Sequence, residues 1–282
     1  MTDYAYRIVN VFTIAGDRFS GNPLCVFEDA RGLDDATMQA LALQFNLSET
    51  TFILPSDQAT ARVRIFTPAF EMPFAGHPAL GTAHVVRACK GASNALTLEM
   101  QAGLIPVSAQ GDQWTLQANA SVWRRVEASK AQLAQMLGVG AEDVGDVPLW
   151  VNAGSEQLVI PLTSVDAVRR SSPDAALLHR YGYVREERYL AYIWAEAGDG
   201  QVEARFFFPK GTSVTEDPAT GSACANLGGW FLARAAALPV TRLVRQGAAV
   251  RRPCHLGLQV DEQKRIFVSG GVVEFARGVV RL

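Results

Sequence analysis

Two side chains that can carry protons, His77 and Asp217, each stand directly before a proline in two similar stretches of this chain. An imidazole and a carboxylate are both suited to general acid/base chemistry. The first stretch reads RIFTP (64–68) and then HPALGTA (77–83), and the second reads RFFFP (205–209) and then DPATGSA (217–223). Two copies of one unit predict two domains of similar fold, with the two polar residues opposite each other. A site between the repeats is therefore expected.

Each stretch continues into a predicted helix, over 78–90 and over 218–237, that is rich in small residues. A helix with little polar surface is usually buried, and the first N–H groups of any helix lack partners within it. These groups lie at the positive end of the helix dipole, so a carboxylate is a natural ligand there. Two plainer interpretations stay open: the glycines serve packing, and Asp217 is a helix N-cap.

The remaining pattern predicts an α+β fold, mostly strands with one apolar helix per repeat. Apolar and alternating segments predict strands at 6–12, 24–27, 50–54, 63–67, 95–101, 104–108 and 113–118 in the first half. In the second half they predict strands at 157–161, 189–195, 202–207 and within 241–282. Further helices are predicted after Asp34 and over 129–137 and 174–181. We expect an N-terminal domain over 1–120 and a C-terminal domain over 121–282, with the last strand a candidate to cross into the first domain.

Composition restricts the function class. The 282 residues are 49% hydrophobic and 19% charged with a formal net charge of −2, which gives no indication of nucleic-acid binding. The N-terminus does not resemble a signal peptide, and no apolar run approaches the length of a membrane span. Four scattered cysteines favour buried thiols over disulfides or zinc. A cytoplasmic protein without membrane or nucleic-acid partners is expected.

At these motifs the chain resembles the PhzF-like phenazine-biosynthesis isomerase family, within the diaminopimelate epimerase-like fold superfamily. The resemblance covers nearly the whole chain and includes FSGNPLCVF (19–27), NLSETTF (46–52), PFAGHP (73–78) and EDPATGSA (216–223). It implies two pseudo-symmetric domains, each a barrel-like sheet around a central helix, with ligand where the helix N-termini meet. It also implies a homodimer, a small carboxylic-acid substrate and no cofactor.

The resemblance further implies that Glu49 is catalytic; without it, Glu49 is a charge between a helix and a strand. Glu49, His77 and Asp217 are then the candidate catalytic residues. A partly desolvated carboxyl can give and receive a proton in one cycle, so one glutamate is enough for an isomerisation. The candidate carboxylate ligands are the N–H groups of Gly76, Gly221 and Ser222, together with the Ser222 hydroxyl.

Three functions are compatible with the candidate residues and the family resemblance. The leading one is a cofactor-independent isomerase that moves a proton on a cyclic amino- or hydroxy-carboxylic acid resembling dihydro-hydroxyanthranilate. An amino-acid epimerase or racemase would use two cysteines, but neither loop before the repeat helices contains one, and Cys224 is interpreted as a core thiol. A binding protein without turnover is the third. No phosphate-binding glycine loop, dinucleotide motif or zinc spacing is present in the sequence.

Overall fold

The computed structural model describes residues 1–185 and 188–282 of the chain. They form two compact units: unit 1 comprises residues 1–117 and 269–282, and unit 2 comprises residues 118–268. Each unit surrounds one buried helix with strands, so the predicted α+β fold is confirmed.

The described residues form six α-helices and nineteen strands. The helices are α1 (Asp35–Phe45), α2 (Gly76–Lys90), α3 (Lys130–Leu137), α4 (Val165–Arg170), α5 (Ala175–Tyr181) and α6 (Gly221–Ala233). The first strands are β1 (Asp3–Thr13), β2 (Asn22–Phe27), β3 (Glu49–Leu54), β4 (Ala61–Phe66), β5 (Glu71–Met72), β6 (Ala95–Met100), β7 (Gly103–Gln110) and β8 (Gln113–Gln117). The next are β9 (Val122–Arg125), β10 (Leu149–Asn152), β11 (Glu156–Pro161), β12 (Tyr183–Arg185), β13 (Arg188–Tyr189) and β14 (Ala191–Gly198). The last are β15 (Gln201–Lys210), β16 (Ser213–Asp217), β17 (Val240–Gln246), β18 (Cys254–Val260) and β19 (Ile266–Arg281).

Local sequence sets the start of four helices. The side chains of the residues before α1, α3, α4 and α5 each accept a hydrogen bond from the backbone N–H three residues further on. These capping residues are Asp34, Ser129, Ser164 and Asp174. Such a bond satisfies one of the N–H groups that the first turn leaves open. The predicted starts of α1, α3 and α5 are confirmed, and α4 was not predicted.

Unit 1 contains a closed barrel of eight strands. β1 pairs with β2, β2 runs parallel to β3, and β3 pairs with β4. β4 runs parallel to β6, and β6, β7 and β8 follow as an antiparallel meander. β19 pairs with both β8 and β1 and so closes the ring. β3 is paired with a strand on each side, so its first residue, Glu49, is held by the sheet.

The helix α2 lies inside this barrel, against β1, β2, β3, β4, β6 and β8. Its small residues are required by close packing: a Cβ atom on Gly81 would lie 2.7 Å from Leu24 Cδ2 and 2.8 Å from Val11 Cγ2. One turn stays polar, where the hydroxyl oxygens of Thr82 and Thr51 are 2.8 Å apart in the buried interior. The packing interpretation of the α2 glycine is therefore correct at Gly81.

In unit 2 the strands follow the order β9, β10, β11, β14, β15, β17, β18, with parallel pairs at β11–β14 and β15–β17. The helix α6 packs on β9, β10, β11, β17 and β18. A Cβ on Gly228 would lie 2.9 Å from Ile266 Cγ2, and one on Gly229 would lie 2.7 Å from Val151 Cγ1. These two glycines, like Gly81, let the buried helix approach its strands.

The sequence repeat corresponds to a repeated hairpin. In unit 1 Arg64 on β4 forms two hydrogen bonds of 2.7 Å with Glu71 on β5. In unit 2 Arg205 on β15 reaches Glu216 on β16 with bonds of 3.1 and 2.7 Å. Each guanidinium also lies over a phenylalanine two residues further along its own strand. The two hairpins thus share the same arginine–glutamate pair, and each leads directly to the buried helix of its unit.

The structure corrects the register of the repeat beyond these arginines. Glu71 lies opposite Phe66, whereas Glu216 lies opposite Phe207 across a longer hairpin with its turn after Lys210. The helices then begin at Gly76 and Gly221, 145 residues apart, which is also the separation of Glu71 and Glu216. The HP and DP dipeptides therefore do not occupy equivalent places.

The predicted bounds of both repeat helices were wrong at the N-terminus. α2 begins at Gly76, so Pro78 is its third residue and not its first. α6 begins at Gly221 because Asp217 still pairs with Phe206 in the sheet, and the N-cap is Thr220. α6 also ends early, at Ala233, since the chain turns at Ala235 with a φ of 51°. The N-cap interpretation of Asp217 is excluded.

Candidate active site

Glu49 is placed by the junction between α1 and β3. α1 ends at Phe45 with Asn46 as a left-handed C-cap, and three residues after Asn46 the chain enters β3 with Glu49 as its first residue. There Glu49 lies beside Leu24 of the parallel strand β2, and its side chain is 16% exposed. The Glu49 carboxyl group therefore stands at the first position of a barrel strand, and its side chain is partly exposed.

His77, the second residue of α2, lies next to this carboxyl group. Its Nδ1 is 3.5 Å from Glu49 Oε2, and its side chain is 5% exposed. Burial lowers the His77 pKa to about 3, against a smaller opposing effect of a hydrogen bond with the backbone of Pro23. The imidazole is therefore neutral near pH 7, and its contact with Glu49 is not an ion pair.

The tautomer of His77 follows from these partners. Proline has no backbone N–H, so the imidazole must donate to the Pro23 carbonyl. His77 Nε2 is buried and has no hydrogen-bond partner among the described residues. Nδ1 is then the nitrogen that carries hydrogen, and Nε2 presents a lone pair. Such an atom can accept a hydrogen bond from a hydroxyl or amino group of a ligand.

In unit 2, Asp217 is tied to the residue that caps α6. Its Oδ2 accepts a hydrogen bond of 2.5 Å from the Thr220 hydroxyl, and its carbonyl accepts one of 2.9 Å from Gln246 Nε2. Gln246 Oε1 in turn accepts the Thr220 N–H at 3.4 Å. The Thr220 hydroxyl is therefore engaged with Asp217 and makes no capping bond to the helix.

The absence of a side-chain cap distinguishes α2 and α6 from the other helices of the described chain. The four outer helices have Asp or Ser caps, whereas Ala75 before α2 and Thr220 before α6 make no such bond. The first N–H groups of both buried helices are therefore left for another acceptor. They include those of Gly76 in unit 1 and of Gly221 and Ser222 in unit 2.

The register of the strands shows that Glu49 has no counterpart in unit 2. Thr50 lies opposite Phe66 on β4, and Ala191 lies opposite the equivalent Phe207 on β15. The residue before Thr50 is Glu49, and the residue before Ala191 is the buried Leu190. One unit therefore supplies a carboxyl group where the other supplies an apolar side chain.

The six predicted site residues fall into two groups. Unit 1 holds Glu49, Gly76 and His77, of which Glu49 and His77 are in contact. Unit 2 holds Asp217, Gly221 and Ser222, which lie around the start of α6. Sequence reasoning missed their supporting partners, chiefly Pro23, Thr220 and Gln246. Their signal was weak, because each is an ordinary turn or strand residue until the fold brings it to the site.

Cys224, the fourth residue of α6, is fully buried. Burial raises the pKa of its thiol, as it also does for the buried Cys25, so neither is a thiolate near pH 7. In the described part of the chain, no group of three or more His, Cys, Asp or Glu residues is arranged to hold a metal ion. Nor does any helix there have the length and apolar character to cross a membrane.

Comparison with known proteins gives the family. A profile of the family described as phenazine biosynthesis-like protein matches residues 9–278. The chain belongs to this PhzC-PhzF family. It is 39% identical over 282 residues to an uncharacterized isomerase of Pasteurella multocida, covering 99% of this chain and 94% of that protein. It is 32% identical to the trans-2,3-dihydro-3-hydroxyanthranilate isomerase of Pseudomonas fluorescens, covering 98% and 99%.

A solved structure of a PhzF-family phenazine biosynthesis protein of Bacillus anthracis has the same fold. It matches with a TM-score of 0.87 at 22% identity and covers 100% of both chains. The expectation that this chain is an isomerase of the PhzF type is confirmed by these relatives.

Proposed function

We propose that this PhzF-type isomerase moves a proton between two carbons of a small cyclic amino- or hydroxy-carboxylic acid, with Glu49 as its single acid/base. The observation that carries the proposal is the partly exposed Glu49 carboxyl beside a neutral, buried His77. The leucine at the equivalent place in unit 2 supports one acid/base rather than two. A substrate like the one in the name of the Pseudomonas fluorescens relative has the required chemistry.

In this mechanism Glu49 removes a proton from a ring carbon and returns it to another carbon, so no atom is gained or lost. The C–H electron pair enters the conjugated ring system and then forms the new C–H bond. His77 Nε2 accepts a hydrogen bond from the ring amino or hydroxyl group and orients it. Asp217 has the same role in unit 2, where Thr220 holds its carboxylate.

The proposed ligands of the substrate carboxylate in unit 2 are the N–H groups of Gly221 and Ser222 at the uncapped start of α6, together with the Ser222 hydroxyl. The corresponding donor in unit 1 is the Gly76 N–H at the uncapped start of α2. These donors also stabilise negative charge that spreads into the carboxylate as the proton leaves. They are fixed by the helices before substrate arrives, so little reorganisation is needed in the transition state.

The test replaces one oxygen of the proton carrier. Glu49→Gln is expected to bind 3-hydroxyanthranilate, an aromatic analogue that cannot isomerise, within about threefold of the unaltered protein. Its turnover of trans-2,3-dihydro-3-hydroxyanthranilate should fall by at least about 10²- to 10⁴-fold. Glu99→Gln is the control, because Glu99 lies on β6 and bonds Ser56. Turnover by Glu49→Gln at the unaltered rate would remove Glu49 from the mechanism.

A further inference from the structure

A buried chain of amide side chains runs beneath the start of α6 in unit 2. Gln157 on β11 donates from Nε2 to the Ser222 hydroxyl oxygen at 2.9 Å. Asn226, one turn further along α6, donates from Nδ2 to Gln157 Oε1 at 2.8 Å. Gln157 and Asn226 are almost completely buried, with 1% and 0% of their surface exposed. We call Asn226, Gln157 and Ser222 the amide relay.

The backbone fixes the direction of this relay. Asn226 Oδ1 accepts the N–H of Ala153 at 2.8 Å, and Asn226 Nδ2 also donates to the carbonyl of Ser155 at 2.8 Å. A flipped Asn226 amide would set donor against donor at Ala153 and acceptor against acceptor at Ser155. Such contacts in a buried site are strongly unfavourable. Asn226 therefore has one orientation, and it turns Nδ2 toward Gln157.

The orientation passes along the relay to Ser222. Because Gln157 Oε1 receives Asn226 Nδ2, the amide nitrogen of Gln157 must face the Ser222 hydroxyl. Ser222 then accepts in this bond, and its own hydrogen has no acceptor among the described residues. We infer that Asn226 and Gln157 are positioning residues that commit the Ser222 hydroxyl to donate to the substrate carboxylate. This inference rests on the proposed function.

The fold itself does not need a polar relay at this place. In unit 2, Gln157 on β11 lies opposite Val151 on β10. In the corresponding strand pair of unit 1, Leu24 on β2 lies opposite Val9 on β1. Asn226 is the sixth residue of α6, and the sixth residue of α2 is Gly81, which packs on Leu24. Unit 1 thus builds the same strand–helix contact from apolar groups, so the amides of unit 2 serve something other than packing.

The consequence is selectivity for an anion. The start of α6 presents N–H groups and a hydroxyl whose hydrogen is left for the ligand, so it offers mainly hydrogen-bond donors. A carboxylate accepts at both oxygens, whereas a carboxamide has one accepting oxygen and brings an NH₂ group for which only the second lone pair of the Ser222 oxygen is left. The amide relay therefore favours a carboxylic acid over its amide, beyond the effect of the helix dipole.

The experiment compares two replacements of Gln157 by calorimetric titration with 3-hydroxyanthranilate and with its neutral amide, 2-amino-3-hydroxybenzamide. In Gln157→Glu the carboxylate can only accept, so it takes the Ser222 hydrogen away from the ligand. We expect 3-hydroxyanthranilate to bind about 10- to 100-fold more weakly and the amide to change far less. Gln157→Met leaves Ser222 free to donate, and its loss should stay within a few-fold.

A purely structural role predicts the opposite order, because Gln157→Met removes both hydrogen bonds of Gln157 and leaves one Nδ2 hydrogen of Asn226 without an acceptor. Equal losses, or a larger loss in Gln157→Met, would overturn the inference. Thermal unfolding of each variant separates binding from folding. If Gln157→Glu does not fold, Asn226→Asp reaches the same state, because its carboxylate turns the Gln157 oxygen toward Ser222. Unchanged carboxylate binding in a folded Asn226→Asp variant would also overturn the inference.

The Ser222→Ala background separates the two proposals. If the carboxylate site is correct, Ser222→Ala alone weakens binding of 3-hydroxyanthranilate, and adding Gln157→Glu causes no further loss beyond about twofold. A full further loss in this background would refute the amide relay while leaving the carboxylate site intact. No effect of Ser222→Ala alone would refute the role of Ser222 in the proposed function, and with it the amide relay.

Discussion

Acid should destabilise the folded protein through His77, and the size of the effect follows from its burial. The pKa of this imidazole is lowered from 6.5 to about 3 in the folded state. When the chain unfolds between these two pH values, His77 takes up a proton. The contribution of the neutral His77 to the free energy of unfolding is therefore fully present above pH 6.5 and is lost as the pH falls toward 3.

The magnitude can be worked for a convenient range. At pH 5 an unfolded histidine is about 97% protonated and the folded His77 about 1%. Integrating the difference in bound protons from pH 7 to pH 5 gives a loss of about 2 kcal/mol in the free energy of unfolding. The hydrogen bond with the backbone of Pro23 opposes this shift, but it is smaller than the effect of burial and does not reverse the sign.

The assay is urea unfolding at pH 7 and at pH 5, for the unaltered protein and for His77→Asn. The asparagine amide can keep the bond to Pro23 but does not titrate, so the variant should lose about 2 kcal/mol less between the two pH values. Burial also lowers the pKa of His84 and of His255. Both residues are present in the unaltered protein and in His77→Asn, so their contributions cancel in the comparison. His255→Asn is the control and should keep the His77 contribution.

The same losses in the unaltered protein and in His77→Asn, within about 0.5 kcal/mol, would refute the argument that His77 is buried as a neutral group. Nuclear magnetic resonance gives an independent check, because the ring protons of His77 should show no titration between pH 8 and pH 5. A titration midpoint of the His77 ring protons near the ordinary histidine pKa would likewise refute the argument that His77 is buried as a neutral group.

Three further outcomes test the packing and the thiol. Cys224→Ser should keep its turnover per folded molecule but lose about 1–3 kcal/mol of unfolding free energy, because it buries a hydroxyl; a fall in solvent deuterium uptake at the reacting carbon would restore a role for the thiol. Gly81→Ala should cost about 1–3 kcal/mol in urea unfolding, since its Cβ would crowd Leu24 and Val11; no loss would show that the barrel can expand. Ser129→Ala should cost about 1 kcal/mol, the value of the α3 cap, and an unchanged midpoint would contradict that capping bond.

Local structure was predictable where a short stretch contains its own signals. Asp34, Ser129 and Asp174 mark helix starts because each side chain bonds an N–H three residues away. Gly91 and Gly138 mark helix ends because they adopt the left-handed conformation. These interactions span a few residues and do not depend on the rest of the fold.

The register of the repeat was not predictable in this way. The similarity of HPALGTA and DPATGSA suggested that His77 and Asp217 are equivalent. The β15–β16 hairpin is longer than the β4–β5 hairpin, so the two dipeptides occupy different places relative to the helix starts. The length of a hairpin is set by how far its two strands pair through backbone hydrogen bonds, and the similarity of the side chains in HPALGTA and DPATGSA does not reveal it.

The sequence by itself determined the α+β class and the duplicated strand-and-helix unit, and through its family motifs it indicated Glu49, His77 and Asp217 as candidate residues. Tertiary structure alone decided which groups these residues contact and in what state. The neutral tautomer of His77 depends on burial and on Pro23, 54 residues away along the chain. The direction of the Ser222 hydroxyl depends on Gln157 and Asn226. Protonation and hydrogen-bond direction are set by desolvation and by partners from distant segments, and folding is the step that creates both.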